Sequence, residues 1–173
     1  MALSVPHTRG DLVDEFSLRW RIVGPGSATF SLDLPKEAVE IHTTYVGDGL
    51  GSVLQAALDL QGGSSSAIAF LPAEPGGSCL FFGGASSRAY LQVVDFEDML
   101  SEGRRWGGGR LRWNGHVSID RFVRQAATMA EEVLEEYENV ASYRVAWGGI
   151  SFPVDNLRLL RDRIGDDPSR LRS

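Results

Sequence analysis

Three histidines, one cysteine and a dense run of glutamates are the residues of this chain whose types suit chemistry. His7, His42 and His116 lie far apart, with no His-x-x-x-His or Glu-x-x-His spacing. A zinc ion needs three or four converging ligands, and neither helical nor hairpin spacing supplies them, so no metal site is expected. Cys79 stands in Ser78-Cys79-Leu80-Phe81-Phe82, a setting for a small buried hydrophobe rather than a reactive thiol. Ser64-Ser65-Ser66 and Ser86-Ser87 lack the Gly-x-Ser-x-Gly elbow of a serine hydrolase. Gly47-Asp48-Gly49-Leu50-Gly51 lacks the lysine and hydroxyl of a phosphate loop and reads as a tight turn into a helix. Glu74-Pro75-Gly76 reads as a type II-like turn, and Gly107-Gly108-Gly109 as a hairpin tip. No catalytic residue and no cofactor are assigned.

Binding is better represented. Glu131, Glu132, Glu135 and Glu136 form the densest charge feature. They read either as a solvated helix face or as an acidic strip that docks a basic partner, where charge complementarity raises on-rate and specificity. Trp106, preceded by Arg104-Arg105 and followed by three glycines, combines the residue types that interfaces favour. Arg105 and Trp106 are therefore the candidate anchor, with a tryptophan folded back on the core as the competing reading.

These residues need elements to position them. Phe16, Leu18, Trp20 and Ile22 alternate with polar residues, as do Ala28, Phe30, Leu32 and Leu34, and Gly24-Pro25-Gly26 separates the two runs. That pattern predicts a β-hairpin. Val39, Ile41, Thr43 and Tyr45 continue it with a third antiparallel strand. Leu50, Val53, Leu54, Ala57 and Leu58 have helical spacing, with Asp48 or Ser52 as cap and Gly62-Gly63 as stop. Ala67–Leu71, a continuous apolar run, reads as a central strand covered on both faces. Strands follow near Cys79–Phe82 and Tyr90–Phe96, then an irregular loop to Gly109. In the next strand Leu111 and Trp113 share one face, opposite Arg110, Arg112, Asn114 and His116.

Ser118 to Glu138 is the longest helix, with Phe122, Val123, Ala126, Ala130 and Val133 on its apolar stripe. Tyr143–Trp147 reads as extended, and Leu157, Leu160 and Ile164 mark a last helix. The polar tail from about residue 166 is expected to fray. The fold class is α+β, a mostly antiparallel sheet with helices packed on one face, in a single domain over 1–173. Its polar sheet face would gather Arg19, Arg21, His42, Thr44, Arg112 and His116.

Composition narrows the function classes. The net charge of -6 disfavours general binding to nucleic-acid phosphates. No run of apolar residues reaches membrane-spanning length, and the N-terminus has no secretory pattern. With one cysteine and no possible intrachain disulfide, the expected location is the cytoplasm. Lys36 is the only lysine among 17 lysines and arginines, which reads as GC-rich bacterial codon usage, with an arginine-selective surface as the alternative.

Thr44-Tyr45-Val46-Gly47-Asp48-Gly49-Leu50, Ala73-Glu74-Pro75-Gly76 and Ile150-Ser151-Phe152-Pro153 resemble, in order, landmarks of a family of small actinobacterial proteins. That resemblance brings no activity with it. In general character the chain is also similar to immunity and antitoxin-like proteins. The leading expectation is a non-enzymatic binding protein that blocks a basic toxin domain. The alternatives are a hydrolase-like enzyme with its pocket around His42, Arg112 and His116, and a homodimeric structural protein joined through a sheet edge or the long helix.

Overall fold

Alternation and helical spacing resolve, in a computed structural model that describes residues 12–84 and 87–165, into eight strands and four helices. The expected frayed tail and His7 lie outside the described residues. The strands are β1 (Leu12–Val13), β2 (Ser17–Gly24), β3 (Ser27–Asp33), β4 (Ala38–Thr44), β5 (Ser66–Ala73), β6 (Gly76–Gly83), β7 (Arg88–Phe96) and β8 (Arg110–Ser118). The helices are α1 (Gly49–Gln61), α2 (Ile119–Glu136), α3 (Val140–Ala146) and α4 (Val154–Gly165). The fold is α+β and mostly antiparallel, with helices packed against the sheet.

The strands form two sheets rather than one. β2, β3 and β4 make a three-stranded antiparallel sheet, and the other five are ordered β1-β8-β7-β6-β5. Among the described residues only β1 runs parallel to its neighbour, pairing Leu12 with His116 and Val13 with Val117. The Thr43 hydroxyl donates to the Pro72 carbonyl on β5 at 2.8 Å, and Arg112 on β8 donates to the Glu40 carbonyl. β4 therefore runs across the strands of the larger sheet.

One core lies between the sheets and the helices. Trp20, Phe30 and Ile41 enter it from the small sheet, Leu71, Leu80 and Leu91 from the large one, and Leu54, Phe122 and Leu160 from the helices. Asp48 caps α1 by accepting the Gly51 N–H at 2.8 Å, and Ser118 caps α2 by accepting from Arg121 at 3.2 Å. The Ser52 hydroxyl accepts the Phe70 N–H on β5, while Gln125 of α2 accepts the Leu18 N–H on β2 and Arg121 donates to the Phe16 carbonyl just before it. A second apolar cluster, Cys79, Phe96 and Met99, lies on the outer face of the large sheet.

Four local expectations are corrected. Tyr143–Trp147 is the end of helix α3: Asn139 caps it, Tyr143 and Trp147 are buried one turn apart, and Val145 between them is exposed. The same three residues carry a period of two in sequence, which mimics a strand. β5 is a border strand with Ile68 exposed, not a central one. A bulge where Val93-Val94 face Trp113 and Leu111 leaves Arg112 as the extra residue, so Trp113 turns inward and Leu111 outward. Finally, the Glu74–Pro75 peptide is cis, so this turn is not type II-like.

Candidate functional site

α2 carries the acidic residues, and its buried stripe decides where they point. Phe122, Val123, Ala126, Ala130 and Val133 face the core. Glu131 turns toward α4, where the Arg161 guanidinium forks onto its carboxylate. Glu132 lies on the opposite flank, within electrostatic reach of Arg19 on β2, whose guanidinium is raised mainly by its bond to Asp33. The four glutamates are thus not one strip. Glu135 and Glu136 remain at the C-terminal end, joined by Glu138 beyond it, and all three are exposed.

That end is electrostatically unfavourable for carboxylates. The last turn of a helix carries a partial negative charge, and α2 has no basic residue there. Among the described residues, no ion pair involves Glu132, Glu135, Glu136 or Glu138. Glu138 also adopts φ 62°, a left-handed conformation that glycine accepts without cost and glutamate does not.

Trp106 belongs to a different surface. Its ring packs on Phe70 and Phe96, with centroids at 6.0 and 5.5 Å, over the outer apolar cluster of the large sheet. Arg105 Nε donates to the Met99 carbonyl at 3.1 Å, and Asp98 accepts the N–H groups of Leu100 and Ser101 at 3.1 and 2.9 Å. The Ser101 backbone bond holds the Asp98 carboxyl below its ordinary range. Both readings of Trp106 meet in this geometry, since it covers the cluster and is still 52% exposed. Its φ of 63° is unusual for a bulky residue. Because α2 packs on the inner face, Trp106 with Arg105 and the α2 carboxylates stand on opposite sides of the large sheet.

The expected polar sheet face is divided as well. Arg21 and His42 flank Thr29 on the small sheet, whereas His116 is on β8, its ring packed at a tilt on Tyr90 with centroids 5.1 Å apart. Arg112 is bonded to Asp95 at 3.0 Å and to the Glu40 carbonyl. A cleft of about 530 Å³ opens beside Trp113, lined by Asp14, Glu15 and Glu37. Each of these acids has a structural partner: Arg88 for Asp14, Arg121 for Glu15, and the Trp113 indole N–H for Glu37.

Cys79 is fully buried, and loss of solvent pushes its thiol up to about 12. Among the described residues no three His, Cys, Asp or Glu side chains gather as metal ligands, and no described helix is long and apolar enough to cross a membrane. Arg161, which removes Glu131 from the acidic surface, was not discernible by spacing, being 30 residues away in sequence. Comparison with protein-family models, curated proteins and solved structures finds no match to this chain.

Proposed function

We propose that this protein is a binding module, and that the C-terminal end of α2 docks a basic protein partner. The reading is supported by one observation above all: Glu135, Glu136 and Glu138 crowd a helix end that repels anions, and no cation among the described residues is paired to them. An arrangement that costs stability within the molecule is offset when a partner brings the cations. Cytoplasmic inhibition of a basic toxin domain, in the manner of immunity proteins, is the class of function that suits such a surface. The placement of His42 and His116 on different sheets weighs against the hydrolase-like alternative.

Affinity capture from the cells that make the protein tests this. Wild type and the Glu135→Lys/Glu136→Lys variant are compared at about 0.01 M and about 0.15 M ionic strength, where Debye lengths are about 30 and 8 Å. The expected result is a basic protein retained by wild type, more weakly at the higher salt, and lost by the variant. Retention of the same proteins by both forms, at both salts, removes the acidic end from the function.

A further inference from the structure

The tip of the β2–β3 hairpin, the residues after β4 and the end of α3 meet at one place. The Gly26 N–H donates to the Ala146 carbonyl, and the Tyr45 N–H to the Gly26 carbonyl, both at 3.0 Å. A Cβ placed on Gly26 would stand 2.4 Å from Tyr45 Cδ1, and one on Gly148 3.0 Å from Tyr45 Cγ. Both glycines also have positive φ, 64° and 77°. Only glycine meets both demands, and the Tyr45 ring rests on the two bare backbones.

Beneath this floor Trp20 and Trp147 pack edge to face at 5.2 Å, both buried. Tyr45 is nevertheless 54% exposed, and Val23, Val46 and Val145 beside these anchor points are exposed too, Val145 by 81%. A single exposed valine needs no explanation. Three apolar side chains around a rigidly seated aromatic ring make a patch, and interfaces favour a fixed aromatic because little side-chain entropy is lost on binding.

Carboxylates flank the patch. Tyr137 at the end of α2 packs on Tyr143 of α3 with centroids 6.0 Å apart, and Asp48 helps burial to raise the Tyr143 hydroxyl. α3 therefore lies between the acidic end of α2 and Asp48. At 1.5 Å per residue, Val145 is roughly 7–8 Å along the α3 axis from Val140, which stands two residues after Glu138. Arg144 is engaged with the Gly149 carbonyl at 2.9 Å. The layout is an apolar centre with a charged rim.

We propose that Tyr45, Val46 and Val145 form the apolar centre of a docking surface for a protein segment that carries an apolar side chain flanked by lysines or arginines. The inference rests on the acidic-end reading above and adds the anchor that reading lacks, since Trp106 lies across the sheet. Charge complementarity selects this occupant over a second copy. A two-fold contact through this patch would bring Glu135, Glu136 and Glu138 of both copies into one interface, which like charges oppose.

Three synthetic peptides test it: one with a central leucine between paired lysines, one with serine replacing the leucine, and one with glutamates replacing the lysines. Binding is titrated by fluorescence anisotropy and mapped by backbone amide shifts. The leucine–lysine peptide is expected to shift Tyr45, Val46, Val145 and Glu138. Its affinity should fall at least about tenfold with Tyr45→Ser and with Val145→Ser, as for hot-spot truncations. The serine peptide should bind correspondingly weakly, and the glutamate peptide not at all. Val145 is exposed enough that its replacement leaves folding intact, which a thermal melt checks.

If the serine peptide binds equally well and neither variant matters, the apolar centre is refuted. Continued loss of binding in Glu135→Lys/Glu136→Lys would then leave the acidic-end reading standing. Shifts centred on Trp106 overturn both readings. Shifts at Tyr45 and Val145 that grow with protein concentration alone assign the patch to a second copy and overturn the proposal.

Discussion

The Arg161 guanidinium on α4 reaches Glu131 on α2 through Nε to one carboxylate oxygen and Nη2 to the other. The pair is about one-third exposed on each side, at 37% and 39%, so solvent screens it and its worth is that of a good surface pair. Glu131→Gln and Arg161→Met should each destabilise the protein, and the double-mutant cycle should return a coupling of about 0.5–1 kcal/mol. Urea denaturation provides the measurement. A coupling of zero would mean that the pair does not clamp α4 to α2.

Charge reversal further along the same helix should act in the opposite sense. In Glu135→Lys/Glu136→Lys each substitution replaces an anion by a cation at the negative helix end, a gain of about 0.3–1 kcal/mol per residue. The melting temperature should rise by a few degrees while capture of a basic partner is lost. A lower melting temperature would remove the argument that these glutamates are held against stability.

Glu138 allows strain to be separated from charge. Glu138→Gly should stabilise the protein by about 1 kcal/mol, because glycine adopts a left-handed backbone without the Cβ clash. Glu138→Ala removes the charge and keeps the clash, so it should gain much less. Equal gains from the two would assign the cost to electrostatics instead.

Cys79 reports on the loop over the outer cluster. With a thiol near 12 and no exposed surface, it should resist a disulfide reagent at neutral to mildly alkaline pH and react fully in denaturant. Trp106→Ala uncovers Phe70 and Phe96 and should accelerate the reaction, with little change in the melt of the main core. Unchanged labelling kinetics would show that Trp106 does not seal the cluster.

Phe122 tests the principal core. Its ring lies 4.6 Å from that of Phe82 and is 1% exposed, so Phe122→Ala should cost roughly 3–5 kcal/mol. An unshifted denaturation midpoint would contradict the packing of α2 on the large sheet.

Strands and helices whose pattern answers to a single buried face were legible in the sequence. Phe16 to Leu34 alternates because one side of the hairpin meets the core, and the α2 stripe recurs at helical spacing for the same reason. What could not be read depends on contacts distant in sequence. The bulge at Arg112 is set by β7, and the border position of β5 follows from how the sheets cross. The glutamates were visible as a group, but Arg161 divides them, and nothing local to Glu131 announces that partner. Likewise Gly26 and Gly148 are ordinary turn glycines until Tyr45 is found lying on both.

The side-chain bonds along the outermost strands have a consequence for assembly. On β5, Ser52 takes the Phe70 N–H, Thr43 takes the Pro72 carbonyl, and Pro72 has no N–H to offer. Gln125 occupies Leu18 on β2 and Arg121 the Phe16 carbonyl just before it, and on β8 the short β1, a bulge and two arginines interrupt the border. A foreign strand that sought to extend these borders would find main-chain groups already taken or guarded by charge. At these groups strand addition is disfavoured, whether by another copy of the chain or by a foreign segment. A partner that meets the protein there reads it through its side chains, which makes single-residue substitutions the sensitive instrument for finding where it binds.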